Sequence, residues 1–384
     1  MTSTDFAETT TQLSRDERLR RFGEEIDAIR KDVEAQIGET DVRRLERLQR
    51  FSRAMEIIGR VAIHFSPDPV SFSAGVLSLW IHKQLQATEI GHTVLHGAYD
   101  GLPGAERFDS KKFYWDLPID EESWRAGHNL KHHGSTNVAG RDPDIHFGIS
   151  RLTPHTPWRR YNRWQLPFTL AVLFPNFAFL MNLHFTGVND VHSTNGLSTK
   201  LDFLPDRSRA SVLGAYKRAL RKYVPYYFVS YVVFPALAGP FFWKVMLGNW
   251  LAETLRDIYS AATIHCGHVG PDVASYPEGT RARSRGEWYA MQVESTNNFE
   301  VAKPISILCG GLDRQIEHHL FPKLPPERLR QIAPAVRAAC ERWGIAYRTD
   351  TWGRMLGRAF AHIDRLSREH GALGGAREAL REVA

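Results

Sequence analysis

WQLPFTLAVLFPNFAFLMNLHFTGVN, residues 164–189, contains no Asp, Glu, Lys or Arg. Wound as helix, its 26 residues exceed the roughly 20 that a bilayer requires. A second uncharged run, YVPYYFVSYVVFPALAGPFFW, fills residues 223–243. Shorter uncharged runs lie at 69–82 and 258–271. The overall composition hides these segments, with 43% hydrophobic and 24% charged residues among 384. Residues 1–50 alone hold twelve acidic and ten basic side chains. Apolar helix set against charged helix points to an all-α membrane protein with about four transmembrane helices and a cytoplasmic helical cap.

The spans are placed at about 51–66, 70–91, 222–240 and 241–263. Pro67 and Pro69 separate the first two, which are expected to form a hairpin. Arg53, Glu56 and Arg60 make 51–66 the weakest candidate. Gly239-Pro240 turns the chain between the last two. The 164–189 run is flanked by Arg159, Arg160 and Arg163 and by seven basic residues from Lys200 to Lys222. Positive charge at both ends, with Pro175-Asn176 at its centre, favours an interfacial or re-entrant segment over a full crossing. Residues 1–50 are expected as an N-terminal cap, 51–350 as the main domain and 351–384 as a cytoplasmic tail.

No signal peptide is expected, because the first fifty residues lack an apolar core. Cys266, Cys309 and Cys340 are too few for a disulfide framework or a four-thiolate cluster, which suits a reducing compartment. The net charge of +6 is modest, and nothing in the sequence marks nucleic-acid binding.

Nine of the seventeen histidines fall in four clusters: His92/His96, His128/His132/His133, His265/His268 and His318/His319. Imidazole is the commonest metal ligand among side chains. Chance supplies only about 0.03 occurrences of the triple spacing in such a chain. On an α-helix His128 and His132 share a face and His133 diverges by about 100°. Adjacent imidazoles that diverge suit two metal ions better than one, and His318/His319 repeat that pattern, with Gln315 one turn earlier and Glu317 beside them. Zinc sites stop at about four ligands, so eight or nine imidazoles exceed one ion. Ligand type leaves Zn, Cu, Fe and Ni open. The clusters sit at the ends of apolar helices, which suits activation of O2 beside a hydrocarbon chain. Cys266 reads as a small buried residue. The remaining histidines, among them His184 and His192, read as solitary.

Gly91-His92-Thr-Val-Leu-His96-Gly, His128-Asn-Leu-Lys-His132-His133 with Thr136-Asn137 after it, and Gly311-Leu-Asp-Arg-Gln315-Ile-Glu-His318-His319-Leu-Phe-Pro322 resemble the three histidine boxes of integral membrane fatty acid desaturases. Cys266-Gly267-His268 and the turn after it are similar to bacterial acyl-CoA desaturases served by a separate reductase. The resemblance covers about residues 45–350. It implies four membrane helices, a cap holding two iron ions over a kinked acyl tunnel, and the ligands His92, His96, His128, His132, His133, His268, His318 and His319. Gln315 stands where some relatives have His. His265, or a water held by Gln315, is the candidate for the missing ligand.

The implied reaction forms a C=C bond in a saturated acyl chain, expected as its CoA thioester, using O2 and two external electrons. A diiron lipid hydroxylase and, third, a membrane zinc hydrolase are the rivals. No Gly-rich dinucleotide fingerprint follows a strand. The electrons are therefore expected from a ferredoxin or a flavoprotein reductase, docked on Arg159, Arg160, Arg163, Lys217, Arg218, Arg221 and Lys222. The expected location is a bacterial-type inner membrane, with the active site facing the cytoplasm. Trp115, Trp124, Trp158 and Trp164 are tunnel or interface candidates, and Asn297-Asn298-Phe299 a tunnel or supporting stretch. Glu89, Asp142, Asp144 and Glu317 are candidates to orient imidazoles through their second nitrogen.

Overall fold

The computed structural model describes residues 13–191 and 203–369, so His192, Lys200 and His370 lie outside it. The described chain is helical apart from two three-residue strands and one isolated bridge, from Val138 to Tyr276.

Helix α1 (Arg15–Glu34) begins at Ser14, whose hydroxyl accepts the Glu17 backbone N–H. Acidic residues fill its first turn and Lys31 its last, matching the helix dipole. It buries Leu19, Phe22, Ile26 and Val33 in a core shared with Tyr289, Ile316, Leu320 and Trp343. The charged N-terminal segment therefore packs directly behind the third histidine box.

Helix α2 (Glu39–Phe65) runs without a break across the domain boundary expected at residue 50. It folds back on α3 (Pro69–Leu85), which Asp68 caps by accepting the N–H groups of Val70 and Ser71. The two helices meet at glycines. A Cβ on Gly59 would lie 2.6 Å from Leu79 N, and one on Gly75 would lie 2.8 Å from Ile63 N. The expected hairpin is thus present and set at backbone contact.

The apolar run from Arg160 to Phe185 is the one described helix long and apolar enough to cross a membrane. It is not a uniform helix. A 3-10 turn (Arg160–Trp164), an α-turn (Gln165–Phe168), a wide π turn (Thr169–Leu173) and a 3-10 turn containing Pro175 (Phe174–Asn176) precede α4 (Phe177–Phe185). Proline removes a donor and crowds the preceding turn, so the path bends at its centre.

Helix α5 (Arg209–Phe228) continues through a π turn (Val229–Val233), and α6 (Phe242–His268) returns after the turn at Gly239–Phe241. None of the four expected spans is among the described helices long and apolar enough to cross, and charges lie inside three of them. Those charges face one another. Lys83 Nζ lies 3.7 Å from Glu253 Oε2, Arg256 Nη2 lies 3.2 Å from Glu253 Oε1, and Arg256 Nε lies 2.9 Å from Asp257 Oδ1, all buried. The outer faces are apolar instead, exposing Ile58, Val61, Val224, Val232, Leu247 and Trp250 among others. An apolar belt of this extent on a chain with satisfied interior charges needs a covering medium.

Helix α7 (Arg285–Glu294) leads to strand β1 (Asn298–Glu300). The third box lies on α8 (Gln315–Leu320), and α9 (Pro326–Trp343) closes over it. Strand β2 (Thr349–Thr351) pairs in parallel with β1. The final helix α10 (Trp352–Arg368) buries Met355, Ala359, Ile363 and Leu366. The described residues beyond 351 therefore belong to the packed core, where a tail had been expected.

Gly59→Leu should force α2 and α3 apart. We expect a loss of about 1–3 kcal/mol or more, read as a lowered midpoint of thermal unfolding in detergent.

Candidate metal centre

Two of the histidine boxes lie on π-helical turns, Gln86–His92 and Arg125–His132. Such wide turns concentrate at functional sites. Here the His133 N–H bonds the His128 carbonyl five residues back, at 3.1 Å. The wider winding changes the expected faces. His133 Nε2 comes within 3.3 Å of His128 Nε2 rather than diverging from it. His132 stays stacked on His128, rings 5.1 Å apart, and also reaches His268 at 4.7 Å.

The imidazoles form two groups. His92, His96, His128 and His318 present ligand atoms within 4.8 Å of one another, as do His132, His268 and His319. In the first, His92 Nε2 lies 3.2 Å from His96 Nε2 and 3.4 Å from His128 Nε2. In the second, His319 Nε2 lies 3.2 Å from His268 Nε2. His133 sits between the groups, stacked on His319 at 4.3 Å and edge-on to His318 at 4.9 Å. His318 and His319 diverge as expected, with rings 84° apart, and each serves a different group.

The donor set fits metal. Ions bound by imidazole at about 2.0–2.1 Å separate neighbouring ligand nitrogens by roughly 3–3.4 Å. His132 Nε2 and His318 Nε2 are buried without a hydrogen-bond partner. Burial pushes His92 down to about 3, and burial with neighbouring imidazoles puts His96, His128, His268, His318 and His319 well below 6.5. Neutral imidazoles keep the lone pair that a metal requires. His132 differs: burial opposes its charge, but Asp142 and Asp144 outweigh burial and raise it to about 9.

Second nitrogens are held from behind. His132 Nδ1 lies 3.0 Å from Asp142 Oδ1, and that carboxylate also accepts the N–H groups of Asn137 and Asp144. His319 Nδ1 donates to Gln292 Oε1 at 3.1 Å, with the Thr136 hydroxyl also at 3.1 Å. Those bonds leave Nε2 of each ring for the metal. Asp144 Oδ2 stands 3.6 Å from both His128 and His132 and joins them as a third candidate group. Gln292 carried no sequence signal, since its side chain meets His319 only through the packing of α7 on α8.

Of the other expected residues, Gln315 donates to His268 Nε2 at 2.7 Å, while its Oε1 is buried without a partner. A half-turn of that amide exchanges the two atoms and offers an oxygen donor to the second group. His265 joins neither group: Nδ1 donates to the Ala261 carbonyl at 2.8 Å and the ring edge rests on Phe174. Glu317 accepts from Asn298 and Tyr347 rather than from an imidazole, and Glu89 pairs with Arg330 and Arg44. Asn298 also accepts the Ile316 N–H, so the asparagine stretch anchors the third box. The Gly310 backbone, at φ 68°, passes so close to the first box that a Cβ would lie 2.5 Å from Thr88 Cβ.

Two apolar cavities of about 70 and 50 Å³ flank the groups and share the walls Phe177, Met181 and Ile264. Trp115 and Trp124 line the larger, and Trp124 stacks on His128 at 4.5 Å. Trp158 instead donates to the Ser367 carbonyl, and Trp164 is exposed. Arg256 and Asp257 also line the larger cavity.

Residues 69–351 match the fatty acid desaturase family model. The chain belongs to the fatty acid desaturase family. It is 31% identical over 356 residues to an NADPH-dependent stearoyl-CoA 9-desaturase of Mycobacterium tuberculosis, covering 91% of this chain and 80% of that one. It is 24% identical over 281 residues to an sn-1 linoleoyl-lipid 6-desaturase of Synechocystis, covering 71% and 74%. An acyl-lipid (8-3)-desaturase of Physcomitrium patens is 29% identical over 255 residues, covering 63% and 50%. The family is membrane-associated and acts on paired donors with O2 reduced to water, and fatty acyl desaturation is the activity this desaturase shares with it.

Asp142→Asn and Gln292→Ala should each weaken metal binding about 10–100-fold, read by metal titration of the purified protein. His265→Ala should retain the full complement of metal by elemental analysis.

Proposed function

We propose that this chain is a diiron acyl-CoA desaturase of a bacterial inner membrane, working on its cytoplasmic face. The carrying observation is the paired imidazole groups, bridged by His133 and walled by apolar cavities. The ligands would be His92, His96, His128 and His318 on one side and His132, His268 and His319 on the other. His133 stands between them, with Gln315 and Asp144 beside the second group. Iron held there would supply activation of O2 for hydrogen removal from an unreactive methylene.

The protein's own part is placement. Phe177, Met181 and Ile264 give an alkyl chain only apolar contacts, so position along the chain is set by shape. Trp124 shields one face of His128 and narrows the way to it. The Arg256–Asp257 pair adds a charged patch to the wall of the larger cavity, against which an alkyl chain gains nothing. Asp142 and Gln292 hold His132 and His319 in the tautomer that leaves Nε2 free.

Membrane embedding is supported by the exposed apolar belt on α2, α3, α5 and α6 and by the pairing of the charges between those helices. Three free thiols, all buried, accord with a reducing compartment. The mycobacterial relative acts on stearoyl-CoA by its name, which favours a CoA thioester as substrate here.

Expression in a host of defined lipid content, with a matched reductase, tests the reading by gas chromatography of the fatty acids. New unsaturated species should appear and vanish with His132→Ala and with His318→Ala. Hydroxylated products would instead make the chain a hydroxylase, and a lone zinc by elemental analysis would end the diiron reading. Ala178→Leu, which fills the larger cavity, should shift products toward shorter chains.

A further inference from the structure

A cleft of about 410 Å³ opens on the cap between residues 134–141 and 280–292. Its floor is Thr136 and Gln292, the buried pair that holds His319 Nδ1. From the cleft to an imidazole of the second group is therefore one hydrogen bond. Half-buried Trp288 and Met291 form its wall, and Arg141 and exposed Arg281 stand on its rim. Neither rim guanidinium forms an ion pair among the described residues. The neighbouring arginines differ: Arg283 pairs with Glu287 and Asp16, and Arg285 with Asp27. No residue of the cleft belongs to the exposed apolar belt, so it faces water.

The reaction needs two electrons from a donor, and the sequence carries no Gly-rich dinucleotide fingerprint after a strand. Written in full, R–CH2–CH2–R′ + O2 + 2 e⁻ + 2 H⁺ gives R–CH=CH–R′ + 2 H2O. Two molecules of a one-electron donor are oxidised for each acyl chain oxidised. The basic stretch first expected to receive that donor is largely committed elsewhere. Lys222 is buried against Glu121, Arg221 pairs with Asp120, and Arg218 donates to the Thr186 carbonyl. Arg160 and Arg163 are exposed at the start of the apolar Arg160–Phe185 segment, a position suited to lipid headgroups.

We propose that the 134–141/280–292 cleft seats an acidic one-electron iron–sulfur protein, and that electrons enter the centre through Gln292 and His319. The inference rests on the desaturase reading. Unpaired cations around a water-facing cleft attract a partner of negative potential, and rim charges act mainly through the rate and salt dependence of encounter. Trp288 and Met291 supply the apolar contact that fixes the docked pose.

The test is calorimetric titration of the metal-loaded, full-length protein in detergent with an acidic [2Fe–2S] ferredoxin across a salt series. Arg141→Glu with Arg281→Glu should weaken binding about tenfold or more and flatten its salt dependence. The milder pair Arg141→Gln with Arg281→Gln should fall between, with metal content unchanged in both. Arg160→Glu with Arg163→Glu should leave the dissociation constant within about twofold. The ferredoxin concentration for half-maximal turnover should rise in step with the dissociation constant. Unchanged binding in the cleft variants overturns the proposal, as does a loss confined to the Arg160/Arg163 variant. Displacement of ferredoxin by a CoA thioester acting on the same arginines also overturns it, making the cleft a substrate phosphate site. Wild-type protein that binds ferredoxin through these arginines yet forms no unsaturated product supports the docking surface and sinks the desaturase reading.

Discussion

Imidazole nitrogens facing one another across 3.2 to 3.4 Å, buried and neutral, are the constraint around which this chain is arranged. Each close pair needs either a proton on one Nε2 or a shared metal ion, and the buried Nε2 atoms of His132 and His318 have no partner, which costs about 1–3 kcal/mol each. Such an arrangement holds only if each ring is fixed from behind. The fixing comes from residues outside the boxes' ligand set: Asp142 on His132, Gln292 and Thr136 on His319, and Asn298 on the backbone of the third box. Cap helices α1, α7 and α9 pack around α8 and supply the rigidity that the rings alone lack.

A second constraint is the medium. Helices α3 and α6 carry Lys83, Glu253, Arg256 and Asp257 where an apolar environment is expected outside. Pairing them inside the bundle removes the cost of isolated charge and leaves the outer faces apolar. Arg256 and Asp257 also line the cavity beside the histidines, so the pairing that stabilises the bundle contributes to its wall.

The histidine boxes were legible as boxes, and their seven imidazoles, with His268 from the end of α6, lie in or between the two groups. Their division was less legible. An α-helical winding predicts that His133 diverges from His128, whereas the π turn at Arg125–His132 brings His133 to His128 while His132, still stacked on His128, also reaches His268 and His319. Hydrogen bonds five residues apart leave no periodic trace in six residues of sequence. His265 was attractive by its spacing to His268, yet a bond to Ala261 one turn back satisfies its Nδ1 and turns the ring toward Phe174. The break expected at residue 50 follows a real change in composition, but α2 passes through it because helix propagation depends on backbone and packing rather than on charge density.

By itself the sequence determined the all-α class, the hairpin at Pro67–Pro69, the turn at Gly239-Pro240 and the histidines that come together. Each of these is a local property of residue type and spacing. Tertiary structure alone decided which imidazole serves which group, which carboxylates and amides hold their second nitrogens, and where the buried charges find partners. Several of those outcomes depend on contacts between segments more than a hundred residues apart, such as Thr136 with His319 and Lys83 with Glu253, and no local pattern encodes the meeting of two distant side chains.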